Sequence, residues 1–317
     1  MKTAIIGAGR RRNGIGQYIG KYFQKNGAEI VSVLGTTQAT AQEAASALKS
    51  YGAGAVAYSD FSVMIKEKSP DAVVIASPAR THYEYLLKCV EQGVHVFCEK
   101  PFVRTDKNCG DPVSLLDPLF EKAGRNHLKI AMNCQWPFSL PFYEELCGPV
   151  GPESVETFFI RMSPMASGRE MISDSIPHAL SILYRVFGPG DIYHLFYRAD
   201  EEKNEEMEIK FNYASASGLC RSHVKLVRTD CQPREFSYGF NGRIVERVLD
   251  VDTYDIFFRY SGKTMQISDP LELSVRDFIS AVEENREPQV GGDHIINNAI
   301  LLKKINDGFE TVKDIEE

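Results

Sequence analysis

The sequence predicts a mixed fold in which an α/β domain is followed by an α+β domain. The chain has 317 residues, which is longer than one typical single-core domain, so two domains are the natural expectation. Short apolar segments alternate with helical ones up to about residue 134, a pattern that predicts βαβ units and a parallel sheet. Beyond that point the segments lengthen, gain aromatic residues and alternate in polarity, which is typical of antiparallel strands.

The first domain is expected to span residues 1–134. Runs such as AVVIA and VHVF are apolar throughout, which suits strands buried on both faces of a parallel sheet. The segments between the apolar runs have the spacing of amphipathic helices. We expect strands at 3–6, 29–34, 55–57, 71–76, 94–98 and 129–133, and helices at 14–25, 39–49, 81–92 and 113–122.

The second domain is expected to span residues 135–317. The chain ends in two amphipathic helices, at 271–284 and 295–305, which are able to pack back on the first domain. The acidic run at 200–206 is interpreted as a solvated loop. We expect strands at 154–162, 193–197, 206–212, 218–226 and 256–259, with one main helix at 176–187.

The composition excludes several classes of protein. Hydrophobic residues make up 43% of the chain and charged residues 25%, as in ordinary globular proteins. The net charge of −7 argues against a nucleic-acid partner. No stretch approaches the roughly 20 apolar residues of a membrane span, and the N-terminal apolar run is too short for a secretory signal, so we expect a cytoplasmic protein. The seven cysteines have no CxxC spacing and no clustered histidines, so no metal site is expected.

Glycines follow the first strand directly. At a strand-to-helix turn, glycines let the backbone approach a pyrophosphate, and the next helix offers free N–H groups and the positive end of its dipole. This pattern predicts a dinucleotide-binding loop; the alternative is a tight turn that simply needs glycine. The residues expected to bind the cofactor here are Gly7, Gly9, Arg10, Arg11, Arg12, Asn13, Gly14 and Ile15.

The end of the second strand predicts which dinucleotide binds. NAD sites usually place an Asp or Glu there to hold the ribose hydroxyls, but this position reads Gly35-Thr36-Thr37. A carboxylate would repel a 2′-phosphate, whereas threonine hydroxyls and the arginines at 10–12 can donate hydrogen bonds to it. We therefore expect NADP rather than NAD, with a solvated basic loop as the alternative for the arginines.

Two further strand ends carry polar residues. Ser77 and Pro78 follow the fourth strand, near the expected cofactor, and His82 begins the next helix, where capping or packing is its alternative role. The fifth strand ends in Glu99-Lys100-Pro101. This places an ammonium group where open α/β sheets bind ligands, next to a proline that can carry a cis peptide bond. A surface lysine is the alternative.

The second domain contains one candidate proton-handling pair, Asp174 and His178. Pro177, which lies between them, suits the first turn of a helix. Residues four apart lie on one side of a helix, and an Asp and a His placed together can exchange a proton near neutral pH. The alternative is that Asp174 only caps the helix.

In their order and spacing these motifs resemble those of the Gfo/Idh/MocA oxidoreductases, which act mostly on sugars, inositols and related polyols. The Glu-Lys-Pro element after the fifth strand is the specific one. The resemblance implies a Rossmann dinucleotide-binding domain followed by an α+β domain with a large, mostly antiparallel open sheet. The matching residues are Gly7-Ala8-Gly9, Ser77-Pro78 with His82, Glu99-Lys100-Pro101, and Asp174 with His178.

The resemblance also implies roles for these residues. Lys100 would contact the reacting hydroxyl or carbonyl, and His178 would give or take the proton, with Asp174 orienting the substrate or assisting His178. Glu99 and His82 would line the nicotinamide side. A lysine ammonium beside the reacting oxygen stabilises developing negative charge, while the cofactor supplies the redox chemistry.

Three departures from the family pattern bear on the substrate. The segment 10–13 stretches the glycine loop, and Ser181 stands where many relatives have an aspartate. Trp136 lies in a segment where an arginine-rich version is expected. Its ring can offer a stacking face to a sugar, and packing at the domain junction is the alternative.

The function expected from the sequence is an NAD(P)-dependent oxidoreductase acting on CH–OH groups of a sugar- or polyol-like small molecule. A non-catalytic cofactor- or ligand-sensing regulator of the same family and a reductase of an imine or enone are the alternatives. An open sheet with one uncovered face tends to pair with a copy of itself. We therefore expect a homodimer or homotetramer formed through the C-terminal sheet, with neither nucleic acid nor membrane as a partner.

Overall fold

The computed structural model describes residues 1–9, 14–106, 110–200 and 203–316, with side chains described up to residue 309. The chain divides into two compact units. The first comprises Met1–Arg104, Val113–Cys134 and Leu271–Ile295, and the second comprises Thr105–Pro112, Gln135–Pro270 and Ile296–Glu317. Within the described ranges, no helix has both the length and the apolar character that crossing a membrane requires.

The first unit is built on a six-stranded sheet. Its strands are β1 (Lys2–Ile6), β2 (Glu29–Leu34), β3 (Val56–Tyr58), β4 (Ala72–Ile75), β5 (His95–Glu99) and β6 (Ile130–Asn133). Its helices are α1 (Gly16–Lys25), α2 (Gln38–Leu48), α3 (Phe61–Lys68), α4 (His82–Glu91) and α5 (Pro112–Arg125). All neighbouring strands run parallel, in the order β3-β2-β1-β4-β5-β6. This is the strand order of dinucleotide-binding Rossmann folds, so the predicted α/β class is confirmed.

The second unit is built on an eight-stranded sheet. Its helices are α6 (Leu140–Cys147) and α7 (Glu170–Phe187), and the chain ends in α8 (Pro270–Glu283) and α9 (Gly292–Glu316). Its strands are β7 (Thr157–Met162), β8 (Gly190–Ala199), β9 (Glu206–Ser215), β10 (Gly218–Val227), β11 (Phe236–Phe240), β12 (Arg243–Leu249), β13 (Ile256–Tyr260) and β14 (Lys263–Ile267). The strand order is β14-β13-β12-β11-β7-β10-β9-β8. Every described pair is antiparallel except β7 with β10, which confirms the mostly antiparallel sheet.

Aromatic residues fill the core of the first unit. The rings of Phe23 in α1, Phe97 in β5 and Phe278 in α8 are all fully buried. Phe97 lies 5.6 Å from Phe23 and 5.4 Å from Phe278, measured between ring centroids. Such pairs add about 0.5–1.5 kcal/mol beyond the burial of their area. Helix α8 therefore contributes to the core of the first unit, although it comes from the C-terminal part of the chain.

Helix α7 supplies the core of the second unit. Ile172, Ile176, Leu180 and Leu183 recur at helical spacing and are at most 1% exposed. The sheet presents one apolar face, as in β10, where alternate residues from Cys220 to Leu226 are buried. The intervening residues of that strand are half-buried or exposed. Strand β10 thus has one side in the core and one side open to solvent, as strands of antiparallel sheets commonly do.

Five elements lie outside the set predicted from the sequence: α3, α6, β11, β12 and β14. Helix α3 has a recognisable start, since the Asp60 carboxylate accepts a hydrogen bond from the Val63 N–H at 2.9 Å. Strand β11 pairs with β7, which is distant in the sequence, as in the register of Tyr238 with Ile160, and the hairpin partners β12 and β14 extend the sheet from there through β13. Local propensity is a weak guide to such pairings, because packing decides them.

Candidate functional site at the carboxyl edge of the first sheet

Four strands of the first sheet end in line at one edge. Ile6 of β1 pairs with Leu34 of β2 on one side and with Ile75 of β4 on the other, and Ile75 pairs with Cys98 of β5. Because the strand order reverses beside β1, this is the edge at which open α/β sheets bind dinucleotides. The segments that leave the sheet here begin at Gly35, Gly7, Ala76 and Lys100.

Gly7 allows two of these segments to touch. Its φ is +85°, a left-handed conformation that favours glycine. A Cβ at this position would lie 2.5 Å from both N and Cα of Ser77. The Gly7 N–H donates to the Leu34 carbonyl at 3.1 Å. A residue with a side chain would therefore push the first loop away from the turn after β4.

The start of α1 fits a pyrophosphate group. Among the described residues, no side chain caps the helix at Ile15, and its first turn contains no acidic residue, so nothing described there opposes an anion at the positive end of the helix dipole. A Cβ on Gly16 would lie 3.0 Å from Cα of Ala8, and a Cβ on Gly14 would lie 2.6 Å from the Gly9 carbonyl oxygen. Gly16 was not among the predicted site residues, although the third glycine of a dinucleotide fingerprint often serves helix–strand packing. The predicted cofactor residues Arg10, Arg11, Arg12 and Asn13 lie outside the described residues.

The turn after β2 carries no carboxylate, but its threonines already have a structural role. A Cβ on Gly35 would lie 2.6 Å from the Ala41 nitrogen, so only glycine fits there. Thr37 is the N-cap of α2, and its hydroxyl accepts from the Thr40 N–H at 3.2 Å. The Thr40 hydroxyl in turn accepts from the Thr37 N–H at 3.1 Å. Thr36 is exposed and has no capping role.

His82 connects the turn after β4 to the turn after β5. It is 1% exposed, and its Nε2 lies 2.7 Å from the Ser77 carbonyl oxygen while its Nδ1 lies 2.9 Å from the Pro101 carbonyl oxygen. A neutral imidazole can donate to only one of them. Burial lowers the pKa of His82, and the charge of Lys100 acts in the same direction, whereas the carbonyl contacts oppose the shift. Desolvation is the largest of these effects, so the neutral ring is favoured.

Glu99 and Lys100 lie at the carboxyl end of β5, and the Lys100–Pro101 peptide bond is cis. Glu99 pairs in register with Asn133 at the end of β6. The Asn133 amide Nδ2 donates to Oε1 of Glu99, and Asn133 is 2% exposed. Its Oδ1 is buried without a hydrogen-bond partner among the described residues. Asn133 is thus a site residue that the sequence motifs did not reveal.

Asp174 and His178 both lie within α7, in the second unit. The helix begins at Glu170, so Pro177 lies two turns inside it and not in its first turn as the sequence suggested. Asp174 is therefore not a helix cap. Between residues 171 and 183, the positions that are not fully buried are Ser173, Asp174 and His178. The pair thus shares the one accessible stripe of an otherwise buried helix.

Asn298 supports α7 beside this stripe. Its Nδ2 donates to the Pro177 carbonyl at 2.9 Å and to the Ser181 hydroxyl at 3.0 Å. Both partners are buried, Ser181 completely. Ser181, at the position where the family pattern often has an aspartate, is thus fixed by α9 and spaced one turn after His178.

Trp136 packs inside the second unit. It is 5% exposed, and its ring stacks on Phe236 with centroids 3.5 Å apart and planes 12° apart. The guanidinium carbon of Arg247 lies 5.8 Å from the Trp136 ring centroid. Of the two roles left open by the sequence, this arrangement favours packing. The described ranges contain no group of three or more His, Cys, Asp or Glu side chains placed to hold a metal ion.

Comparison with known proteins agrees with this architecture. Residues 1–118 match the Gfo/Idh/MocA family model, described as an oxidoreductase family with an NAD-binding Rossmann fold. A D-glucoside 3-dehydrogenase of Escherichia coli (strain K12) is 37% identical over 101 residues, which cover 32% of this chain and 27% of that protein. An inositol 2-dehydrogenase of Pseudarthrobacter chlorophenolicus is 33% identical over 102 residues, which cover 32% of this chain and 28% of that protein. The matched segment thus spans less than a third of these curated relatives.

Solved structures extend the likeness of fold to the whole chain. A UDP-N-acetylglucosamine 3-dehydrogenase from Acidithiobacillus ferrooxidans superposes with a TM-score of 0.71 and 18% identity over 97% of both chains. A dehydrogenase from Chromobacterium violaceum superposes with a TM-score of 0.74 and 15% identity, covering 100% of this chain and 97% of that one. The first 118 residues thus match the Gfo/Idh/MocA oxidoreductase family model, in line with the resemblance of their motifs, and the whole chain shares the fold of these solved dehydrogenase structures.

Proposed function

We propose that this protein is an NAD(P)-dependent oxidoreductase that transfers a hydride between a nicotinamide cofactor and a hydroxyl or carbonyl group of a sugar- or polyol-like small molecule. The observation that carries the proposal is the alignment of Gly7, Ser77 and Glu99-Lys100 at one edge of the parallel sheet. The matched relatives are named for dehydrogenation of a glucoside and of inositol, which supports the substrate class. We place this activity in the cytosol.

The first unit provides what a dinucleotide requires. The uncapped start of α1 and the close approach of Gly7 to Ser77 suit the pyrophosphate. When bound, the nicotinamide ring accepts or donates the hydride. The adenosine ribose of such cofactors lies at the end of β2, so the nicotinamide half lies on the side of β4 and β5, where Ser77, Pro78 and Glu99 are found. His82 holds the two turns on that side together.

Three side chains are proposed to act on the substrate. The Lys100 ammonium stabilises negative charge that develops on the reacting oxygen. His178 gives or takes the proton of that oxygen, as a neutral imidazole or an imidazolium can near neutral pH. Asp174, one helical turn before His178 on the same stripe of α7, orients His178 or the substrate.

We further propose that NADP binds more tightly than NAD. The turn after β2 has no carboxylate to repel a 2′-phosphate, and the exposed Thr36 can donate a hydrogen bond to it. Titration of both dinucleotides into the wild type and Thr36→Asp tests this. The added carboxylate should weaken NADP binding by about tenfold or more and leave NAD binding nearly unchanged. A wild-type preference for NAD would refute the argument.

We also propose that copies of the chain pair through the outer face of the second sheet. Tyr193, Phe196 and Leu219 are at least half exposed and share that face, because their partners Asn212, Lys210 and Ala214 alternate along β9. Exposed apolar side chains grouped on a sheet mark an interaction surface. Light scattering should show a dimer or tetramer that Leu219→Lys weakens and Val251→Lys, in an exposed turn, does not. A monomeric wild type would contradict this.

A substrate screen tests the function itself. The purified protein is incubated with each oxidised or reduced dinucleotide and a panel of sugars, polyols, cyclic imines and enones, and nicotinamide absorbance is followed. We expect hydride transfer with a sugar or polyol. Dinucleotide binding without hydride transfer on any compound would favour a sensing regulator. Turnover of the imines or enones alone would favour a reductase of these non-sugar substrates.

A further inference from the structure

An arginine lies on the core-facing side of the second sheet. Arg247 is in β12, two residues after the fully buried Val245 and paired in register with the fully buried Phe258 of β13. The residue between them, Glu246, is exposed. Alternation along the strand therefore directs Arg247 to the apolar face. A charge on such a face is costly unless an opposite charge and hydrogen bonds compensate for it.

The described residues supply few hydrogen bonds and no close opposite charge to Arg247. Nη2 of Arg247 donates to the backbone carbonyl of Arg234, whereas its Nε is buried and has no hydrogen-bond partner in the described part of the chain. Neither arginine forms an ion pair within 4.0 Å among the described residues. Burial lowers the pKa of Arg247 to about 10, and the nearby Arg234 acts in the same direction, while Asp269 opposes the shift. The guanidinium therefore remains cationic at neutral pH with most of its N–H donors unused.

Aromatic rings complete the surroundings of these arginines. The Arg247 guanidinium lies 5.8 Å from the Trp136 ring centroid, within the range of a cation–π contact. Trp136 is stacked on Phe236, which begins β11 two residues after Arg234. The hydrogen bond from Nη2 to the Arg234 carbonyl and the neighbouring Trp136 ring restrict the guanidinium. A held guanidinium loses less freedom when it forms a bidentate contact with an anion.

We propose that Arg247 and Arg234, with Trp136 beside them, form a binding subsite for an anionic group, a carboxylate or a phosphate, of a small-molecule ligand. Such a group would accept the unused donors of Arg247 in a bidentate contact and would balance two neighbouring positive charges. If the ligand is the substrate, a reading that rests on the proposed oxidoreductase function, the substrate class becomes a sugar acid or a sugar phosphate in place of a neutral polyol.

Direct binding tests the subsite without reference to catalysis. Inorganic phosphate and glucuronate are titrated into the full chain by calorimetry, at an ionic strength held constant with chloride. Both Arg247→Gln and Arg234→Gln should weaken the affinity by about tenfold or more. Arg247→Lys keeps the charge but not the planar fork, so it should lose less. Arg259→Gln is the matched control, because this arginine of the adjacent strand β13 is exposed and pairs with Glu246.

The outcomes distinguish a phosphate ligand from a carboxylate ligand. They also distinguish failure of the subsite proposal from failure of the oxidoreductase proposal. Binding of phosphate alone points to a phosphorylated ligand, and binding of glucuronate alone points to a carboxylate. In a turnover assay, Arg247→Gln should raise KM about tenfold for glucose 6-phosphate or glucuronate but leave KM for glucose unchanged. Binding without any turnover would leave the subsite standing and refute the oxidoreductase. Failure of both anions to bind, or binding that survives both glutamine variants at full affinity, would overturn the subsite.

Discussion

At the residue scale, the contact between Asn133 and Glu99 shows how the first sheet orients a carboxylate. An ionised carboxylate only accepts hydrogen bonds, so the amide must present its Nδ2, and its Oδ1 is then turned away. That Oδ1 is buried without a donor among the described residues, which costs about 1–3 kcal/mol unless a bound molecule supplies one. We therefore propose that Asn133 positions the Glu99 carboxylate and that its Oδ1 accepts a hydrogen bond from a bound ligand.

Replacement of Asn133 by aspartate should make dinucleotide binding more sensitive to pH. Two carboxylates would then meet at the ends of β5 and β6, and their repulsion grows as both ionise. We expect the affinity of Asn133→Asp to fall as the pH rises, more steeply than that of the wild type, and Asn133→Ala to weaken binding without this steep dependence. Calorimetric titration at several pH values measures this. Asn126→Asp, in an exposed turn, is the control, and parallel curves for wild type and Asn133→Asp would refute the role.

His82 should contribute to the pH dependence of folding. Because burial lowers its pKa, the unfolded chain binds a proton at higher pH than the folded chain. The free energy of unfolding should therefore fall as the pH falls below about 6.5, with a slope of up to about 1.4 kcal/mol per pH unit from this one group, until the lowered folded pKa is reached. Urea unfolding of wild type and His82→Gln across this range measures the difference. A variant that keeps the full wild-type slope would contradict the assignment.

At the scale of elements, α7 is a proline-containing helix that burial and Asn298 support. A proline inside a helix costs about 3 kcal/mol, and the buried Ile172, Ile176 and Leu180 offset this cost. Pro177 favours a helix start when the sequence is considered alone. The apolar residues Met171 and Ile172 extend the helix toward its N-terminus because they reach the core. Packing thus overrides the local preference of the proline.

Removal of the Asn298 amide should destabilise α7. Asn298→Ala deletes two buried hydrogen bonds, to the Pro177 carbonyl and the Ser181 hydroxyl, so the free energy of unfolding should fall by about 1–3 kcal/mol. Urea denaturation of the full chain gives this value. Asn126→Ala, in an exposed turn, should change it by less than about 0.5 kcal/mol. Equal effects of the two substitutions would show that Asn298 does not support the helix.

At the scale of the whole molecule, the sequence predicted most of what local pattern determines. Apolar runs and glycine turns identified the parallel sheet, because strands buried on both faces need continuous apolar segments. Strands β11 and β12 were not predicted, although Phe236, Tyr238 and Phe240 of β11 alternate as strand residues do. Their place in the sheet depends on the pairing of β11 with β7, which is distant in the chain.

The residues of the candidate site also fall into those that local sequence predicted and those that depend on strand pairing. Gly7, Ser77 and Lys100 were predicted because each follows a strand at its carboxyl end, which is a matter of local sequence. Asn133 and Arg247 were not predicted, because their roles arise from registers and neighbours that no short motif contains. His82 was predicted to belong to the site. Its contacts with the Ser77 and Pro101 carbonyls could not be predicted, because they form only when the turns after β4 and β5 come together in the fold.

The proposed oxidoreductase function is tested most directly by the turnover of Lys100→Ala on the best compound from the substrate screen. Dinucleotide affinity is measured in parallel. Lys88→Ala is the matched control, since this exposed lysine of α4 forms an ion pair with Glu84, one turn away on the same helix. We predict that Lys100→Ala lowers kcat by about 10²–10³-fold and changes the dinucleotide Kd by less than about threefold, while Lys88→Ala behaves as the wild type. Full turnover by Lys100→Ala would contradict the account.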